Sequence, residues 1–316
     1  MDDFLNFGND KPLTYYEDLE SEIEIFEFTD PICVWSWGSE PLIRALEFRY
    51  PGILDTDFIT AGLIKDVREF FDYGTGVGED PYASNRAMVK NWIKSKDRHQ
   101  MPVVDQEVQI FDDKHASSFP ANIAYKAAQF QSRSAAKRFL RLMREAYFVR
   151  GLAPNHTDVL VKLAEEAGLD IGMFLEDFKS REAKKAFLDD QEAAGNYSVL
   201  GFPAFLIRIG NKETLLKGFH PIENLITAID ELSEGKYKAQ TPELNDENIM
   251  QYFERFISAF PVELALAFDL ADLDELQKRL DELVERGLLL AQEADDTKLY
   301  TYVDQDPLHM EVWNQL

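Results

Sequence analysis

The chain contains a single cysteine, Cys33, inside the run Asp30-Pro31-Ile32-Cys33-Val34-Trp35-Ser36-Trp37. Cys-x-x-Ser keeps the spacing of a redox-active Cys-x-x-Cys pair, which sets two side chains on one helical turn, with Ser36 standing where a second thiol would be. Such a cysteine attacks disulfides once it is ionised, and unpaired N–H groups and the helix dipole favour an ionised sulfur at a helix N-terminus. The spacing therefore predicts a nucleophilic Cys33 with a pKa below the ordinary value of about 8.5. It also predicts a Ser36 hydroxyl able to hydrogen-bond the thiolate. The alternative is that a lone cysteine is a small buried hydrophobe. Pro31 just ahead of it, and bulky Trp35 and Trp37 where a plain turn would favour Asn or Gly, argue for the functional reading.

Elements on both sides must hold that turn. Ile23-Glu24-Ile25-Phe26-Glu27-Phe28 alternates with period two, whereas residues 39–50 carry Leu42, Ile43, Leu46 and Phe48 at mainly helical spacing, so Cys33 falls between strand and helix. A second strand over 57–62 completes a βαβ unit. The pattern from 63 to 196 is then helical, with helices predicted at 64–71, 86–93, 120–131, 135–150, 157–167, 171–179 and 182–194. Gly74, Gly76 and Gly78 in the loop over 72–81 mimic a phosphate-binding motif, but Glu79, Asp80 and the lack of a following Lys-Ser/Thr argue against nucleotide binding. Period two returns at 199–209 and 213–217 around a Gly210-Asn211 turn, and a helix follows at 222–232. Pro203 opens the first of these strands, where it cannot donate to a ladder, and a cis Phe202-Pro203 bond is expected there.

With 316 residues, of which 45% are hydrophobic and 12% aromatic, the chain is long enough for two folded domains. One cysteine rules out an intramolecular disulfide. No basic segment followed by an apolar leader is visible near the N-terminus, and no apolar run approaches the roughly 18 residues that span a bilayer. The expected compartment is the cytoplasm. A net charge of −25 opposes binding to nucleic acid and anionic membranes, so the expected partner is a protein thiol or disulfide substrate, or a small thiol.

These segments together resemble the DsbA-like thioredoxin family, in its cytoplasmic FrnE-like dithiol-disulfide isomerase branch. The resemblance runs over about residues 22–233 and rests on four ordered motifs: residues 29–38 around the Cys-x-x-Ser turn, Ala61-Gly62-Leu63 ending the second strand, residues 121–129 opening the helical insertion, and Gly201-Phe202-Pro203-Ala204-Phe205. It implies an α/β architecture, a thioredoxin fold with a helical insertion over about 63–196. It further implies that Cys33 is the catalytic nucleophile assisted by Ser36, and that Trp35, Trp37, Phe202 and Pro203 bind substrate. With Ser36 in place of a resolving thiol, a mixed disulfide has no internal release, which leaves monothiol isomerisation or cycles resolved by a low-molecular-weight thiol as co-substrate, with no bound cofactor. The expected function is thus a cytoplasmic thiol-disulfide oxidoreductase or isomerase. The alternative comes from residues 122–128 and 138–143, which also resemble the adaptor proteins of Gram-positive bacteria that deliver a transcription regulator to a protease. Those adaptors share the DsbA-like fold and act by binding alone.

Residues 1–21 are expected to form an N-terminal arm, 22–233 the DsbA-like domain, 234–243 a polar linker, and 244–316 a small winged-helix-like domain. The last carries 5 Lys and Arg against 17 Asp and Glu, and its third predicted helix, 272–286, carries six carboxylates. That balance points to protein contact or homodimerisation, with no nucleic acid partner. No metal site is expected, because His99, His115, His156, His220 and His309 show no ligand spacing.

Overall fold

The computed structural model describes residues 21–303, so the expected N-terminal arm lies outside it except for Ser21. The chain begins with β1 (Ile23–Thr29), α1 (Val34–Gly38), α2 (Glu40–Arg49) and β2 (Leu54–Thr60), then a short hairpin of β3 (Phe71–Asp72) and β4 (Val77–Gly78). Helices α3 (Pro81–His99), α4 (Phe119–Gln131), α5 (Arg133–Phe148), α6 (Thr157–Glu166), α7 (Ile171–Phe178) and α8 (Arg181–Asn196) form the insertion. After it come β5 (Ala204–Ile209), β6 (Lys212–Lys217) and α9 (Ile222–Leu232). The chain continues through α10 (Asp246–Phe256), β7 (Ser258–Ala259), α11 (Pro261–Ala267), α12 (Asp274–Glu285), β8 (Leu289–Ala294) and β9 (Thr297–Tyr302).

Two compact units divide these elements: among the described residues, one holds 21–39, 52–99 and 103–237, the other 40–51, 100–102 and 238–303. The sheet of the first unit runs β2-β1-β5-β6. β1 lies parallel to β2, with Phe28 opposite Ile59, and antiparallel to β5, with Phe28 opposite Ala204. This is the strand order of a thioredoxin fold of the DsbA type, interrupted between β2 and β5 by the helical block. The alternation in β1 would suit a strand with one wet face, yet every residue of β1 is buried. Its glutamates are accommodated by pairing: Glu27 meets Arg144 at 3.0 Å with both side chains wholly buried, and Glu24 lies 3.7 Å from Arg208 on the neighbouring strand.

The helix predicted over 64–71 does not form. Asp66 accepts the N–H of Arg68 and pairs with its guanidinium at 2.6 Å, which limits helical structure there to a single 3-10 turn at Val67–Glu69. The β3–β4 hairpin follows, and Gly78 is required in it: φ is +134° and a Cβ would sit 1.9 Å from the carbonyl oxygen of Phe70. α3 in turn starts earlier and ends later than its apolar repeat suggests, opened by an Asp80 carboxylate that accepts the N–H of Ala83 at 2.6 Å.

In the second unit β7, β9 and β8 form a three-stranded sheet in that order, beside α10, α11 and α12. α2 belongs to this unit. Its Phe48 lies between the rings of Tyr252 and Phe268, at 5.2 and 5.6 Å. Arg44 donates to the carbonyl of Ser258 at 2.6 Å and meets Glu263 at 3.2 Å, while Glu47 pairs with Arg255 at 3.2 Å.

Candidate functional site

The thiol turn is built around one carboxylate. Asp30, wholly buried at the end of β1, accepts hydrogen bonds from the N–H of Ile32 at 2.9 Å and of Leu63 at 2.6 Å, from Ser118 Oγ at 2.8 Å and from Asn122 Nδ2 at 3.0 Å. Four donors hold the turn between β1 and α1 to the start of the helical insertion. Burial still pushes the Asp30 carboxyl above its ordinary range, against the pull of those donors. Sequence alone put no role on Asp30, because three of its partners lie beyond the segment that contains it.

Cys33 occupies the N-cap position of α1 without a side-chain cap. Its sulfur is buried and donates to the carbonyl oxygen of Phe202 at 3.6 Å, and the Phe202–Pro203 bond is cis. The turn and the proline loop, far apart in sequence, are thus brought together. The pKa expected from the N-terminal position is overturned. Burial pushes the thiol up, and the negative charge of Asp30 adds to the rise. The N–H groups of Ser36 and Trp35 and the Ser36 hydroxyl favour the thiolate, but by less than burial opposes it. Ser36 Oγ is itself buried, near the sulfur but without a hydrogen bond of full geometry. α1 has five residues, so few aligned peptides contribute to its dipole.

The tryptophans separate. Trp37 is fully buried, stacked on Phe148 at 5.7 Å and covered by the Arg141 guanidinium at 4.7 Å. It is a core residue rather than the substrate contact expected of it. Trp35 is half-buried and lies beside His99, Phe219 and Arg98, at 6.1, 5.8 and 5.5 Å. His99 escaped sequence reasoning because nothing local marks it. It lies so close to α1 that a Cβ on Gly38 would come within 2.5 Å of its ring. Burial lowers its pKa to about 4, with Lys96 contributing.

A thioredoxin family profile matches residues 26–225. Among curated relatives, the ClpXP adapter protein SpxH of Halalkalibacterium halodurans is 29% identical over 83% of each chain, and that of Bacillus subtilis is 28% identical over 83% of each. Among solved structures, a chain from Nitrosomonas europaea described as a candidate protein disulfide isomerase superposes with a TM-score of 0.57 at 20% identity, covering 69% of this chain and all 100% of its own. A probable DsbA oxidoreductase from Streptomyces coelicolor reaches 0.50 at 15% identity, over 70% of this chain and 94% of its own. At those identities the structures speak for the fold alone. The expected thiol-disulfide oxidoreductase is corrected here: the relatives that match across most of the chain carry the name of adapters. The physical reason is a buried sulfur of raised pKa with no second thiol.

Proposed function

We propose that this chain, which belongs to the thioredoxin family, works as an adaptor that binds a client protein and brings it to a ClpXP-type protease. The observation that carries the reading is the condition of Cys33. Protonated, buried and bonded to the Phe202 carbonyl, the sulfur packs the turn as a small apolar group would. The adapter name of the relatives supports the same choice. Trp35, Phe202 and Pro203 are then candidates for client contact, with Cys33 and Ser36 as the packed floor beneath them. Leu200, two residues before Phe202, is 98% exposed, the kind of apolar side chain that a protein partner covers.

The module from α10 to β9 reads as winged-helix-like, used for protein contact or self-association. The Lys278, Arg279 and Arg286 side chains of its α12 region are engaged by Glu282, Glu275 and Asp246, which leaves them poorly placed to neutralise phosphates. A transcription regulator is the client class that the adaptor resemblance implies, and the cytoplasm is the compartment the reading requires. Among the described residues no helix is long and apolar enough to cross a membrane.

The test is a reconstituted ClpXP degradation reaction with and without the chain. Faster loss of one client, unchanged by Cys33→Ala, is the expected result. Dependence of that loss on the Cys33 thiol would overturn the reading.

A further inference from the structure

Away from the thiol turn, the loop before α4 and the start of α6 place three metal-ligating side chains together. One ligand atom from each of Asp112, His115 and His156 lies within 4.8 Å of the other two. The imidazoles of His115 and His156 stack with centroids 3.8 Å apart, and His115 Nδ1 lies 2.9 Å from Asp112 Oδ2. We propose that these residues form a binding site for a divalent cation of the zinc class.

Two features argue that the cluster is more than a stacked pair. His156 stands at the N-cap of α6 and makes no capping hydrogen bond, although Ser, Thr, Asp or Asn is the usual choice there. Its Nε2 is buried with no hydrogen-bond partner. The stack therefore satisfies His115 through Asp112 but leaves a buried ring nitrogen unsatisfied, and a buried polar atom without a partner calls for an explanation. A cation supplies one.

The surroundings hold the ligands in place. Asn85 exchanges two hydrogen bonds of 2.9 Å with the backbone of Phe111, and Asn155 donates to the carbonyl of Ile110 at 2.6 Å. The loop is thereby tied to both α3 and the approach to α6. Asp112 Oδ1 accepts the N–H groups of Lys114 and His115 at 2.7 and 2.8 Å, which orients the carboxylate and leaves Oδ2 as the ligand oxygen. Two ligands about 2.0–2.1 Å from a tetrahedral ion stand about 3.3 Å apart, so the present Asp112–His115 separation needs only a small opening. Two imidazoles and one carboxylate suit zinc, whereas magnesium and calcium prefer all-oxygen sets. Three protein ligands leave the fourth position to water. The helix dipole of α6 opposes a cation at its start, and the Asp112 charge offsets it.

The full-length chain, titrated with zinc against a chromophoric chelator, should bind one equivalent at this site, and cobalt should give the visible absorption bands of a tetrahedral ion. His115→Gln and His156→Gln should each weaken binding by at least about tenfold, while His220→Gln leaves it unchanged. On the unaltered chain, zinc should protect His115 and His156 from acylation by diethyl pyrocarbonate, a readout that does not depend on the variants folding. Zinc affinity retained in the double variant His115→Gln/His156→Gln, no protection at saturating zinc, or equal affinity for magnesium would each overturn the proposal.

Discussion

Two regions of the molecule bury ionisable groups, with opposite outcomes. Around the thiol turn Cys33 is buried without a counter-charge, and burial raises its pKa. In the second unit α2 buries Glu40, Arg44, Glu47 and Arg49; Arg44 meets Glu263 and Glu47 meets Arg255, while Arg49 donates to the carbonyl of Gln240 at 3.2 Å. There the paired groups fix the orientation of a helix that follows the thiol turn directly in the chain. Burial favours the neutral form of an ionisable group that has no charged partner, and turns an ion pair into a geometric constraint. The same contrast explains why a thioredoxin-family turn can persist in a chain whose relatives are adapters.

The comparison can be broken most severely at the paired end. Glu263→Ala should leave Arg44 buried beside an empty position and remove the acceptor of the Phe260 N–H, costing about 3–5 kcal/mol of stability in urea denaturation. Glu263→Gln, which keeps the volume and that acceptor, should cost less. Equal losses would show that packing, not pairing, dominates there.

Next in size is the buried histidine beside α1, whose Nε2 lies 3.1 Å from Ser95 Oγ. With its pKa lowered to about 4 in the folded chain against about 6.5 when unfolded, His99 binds a proton more readily in the unfolded state. Stability should therefore fall as pH drops from about 6.5 to about 4 and level off below, by up to roughly 3 kcal/mol. The difference in stability between the unaltered chain and a His99→Asn variant, measured across that window, isolates this contribution; a flat difference would contradict it.

A smaller effect is expected at Ser36. Removing a buried hydroxyl that lacks a good partner, by Ser36→Ala, should change stability by about 1 kcal/mol or less, toward greater stability. A loss above that size, read from the same denaturation curves, would mean that the hydroxyl is bonded in solution. The smallest signal is the Cys33 thiol itself. Alkylation by iodoacetamide should be slow and still rising with pH beyond the ordinary cysteine pKa of about 8.5, and Cys33→Ala should leave client binding unchanged. A plateau near neutral pH would return the thiol to active chemistry.

Much of the scaffold was legible in the residues. The alternation before Asp30, the turn residues at Gly210-Asn211 and the apolar repeats of α9 and α10 are local signals, and each marks an element found close to where it was expected. The Cys33 turn and the cis Phe202–Pro203 loop were also identifiable as the pieces of one site, since motif order survives in the sequence. Helix 64–71 failed because the Asp66–Arg68 pairing and the hairpin at Gly78 outweighed periodicity.

By itself the sequence determined which segments become strands and helices, where the thiol sits at a strand-to-helix turn, and the net acidity of the chain. Only the tertiary structure decided the state of Cys33, the placement of His99 against α1, the membership of α2 in the second unit, and the meeting of His115 with His156. The physical reason is the range of the forces. Periodicity, capping and turn preference act over a few residues and are written in neighbouring letters. Burial, and the pKa shifts and coordination sets that follow from it, depends on which distant segments pack around a group.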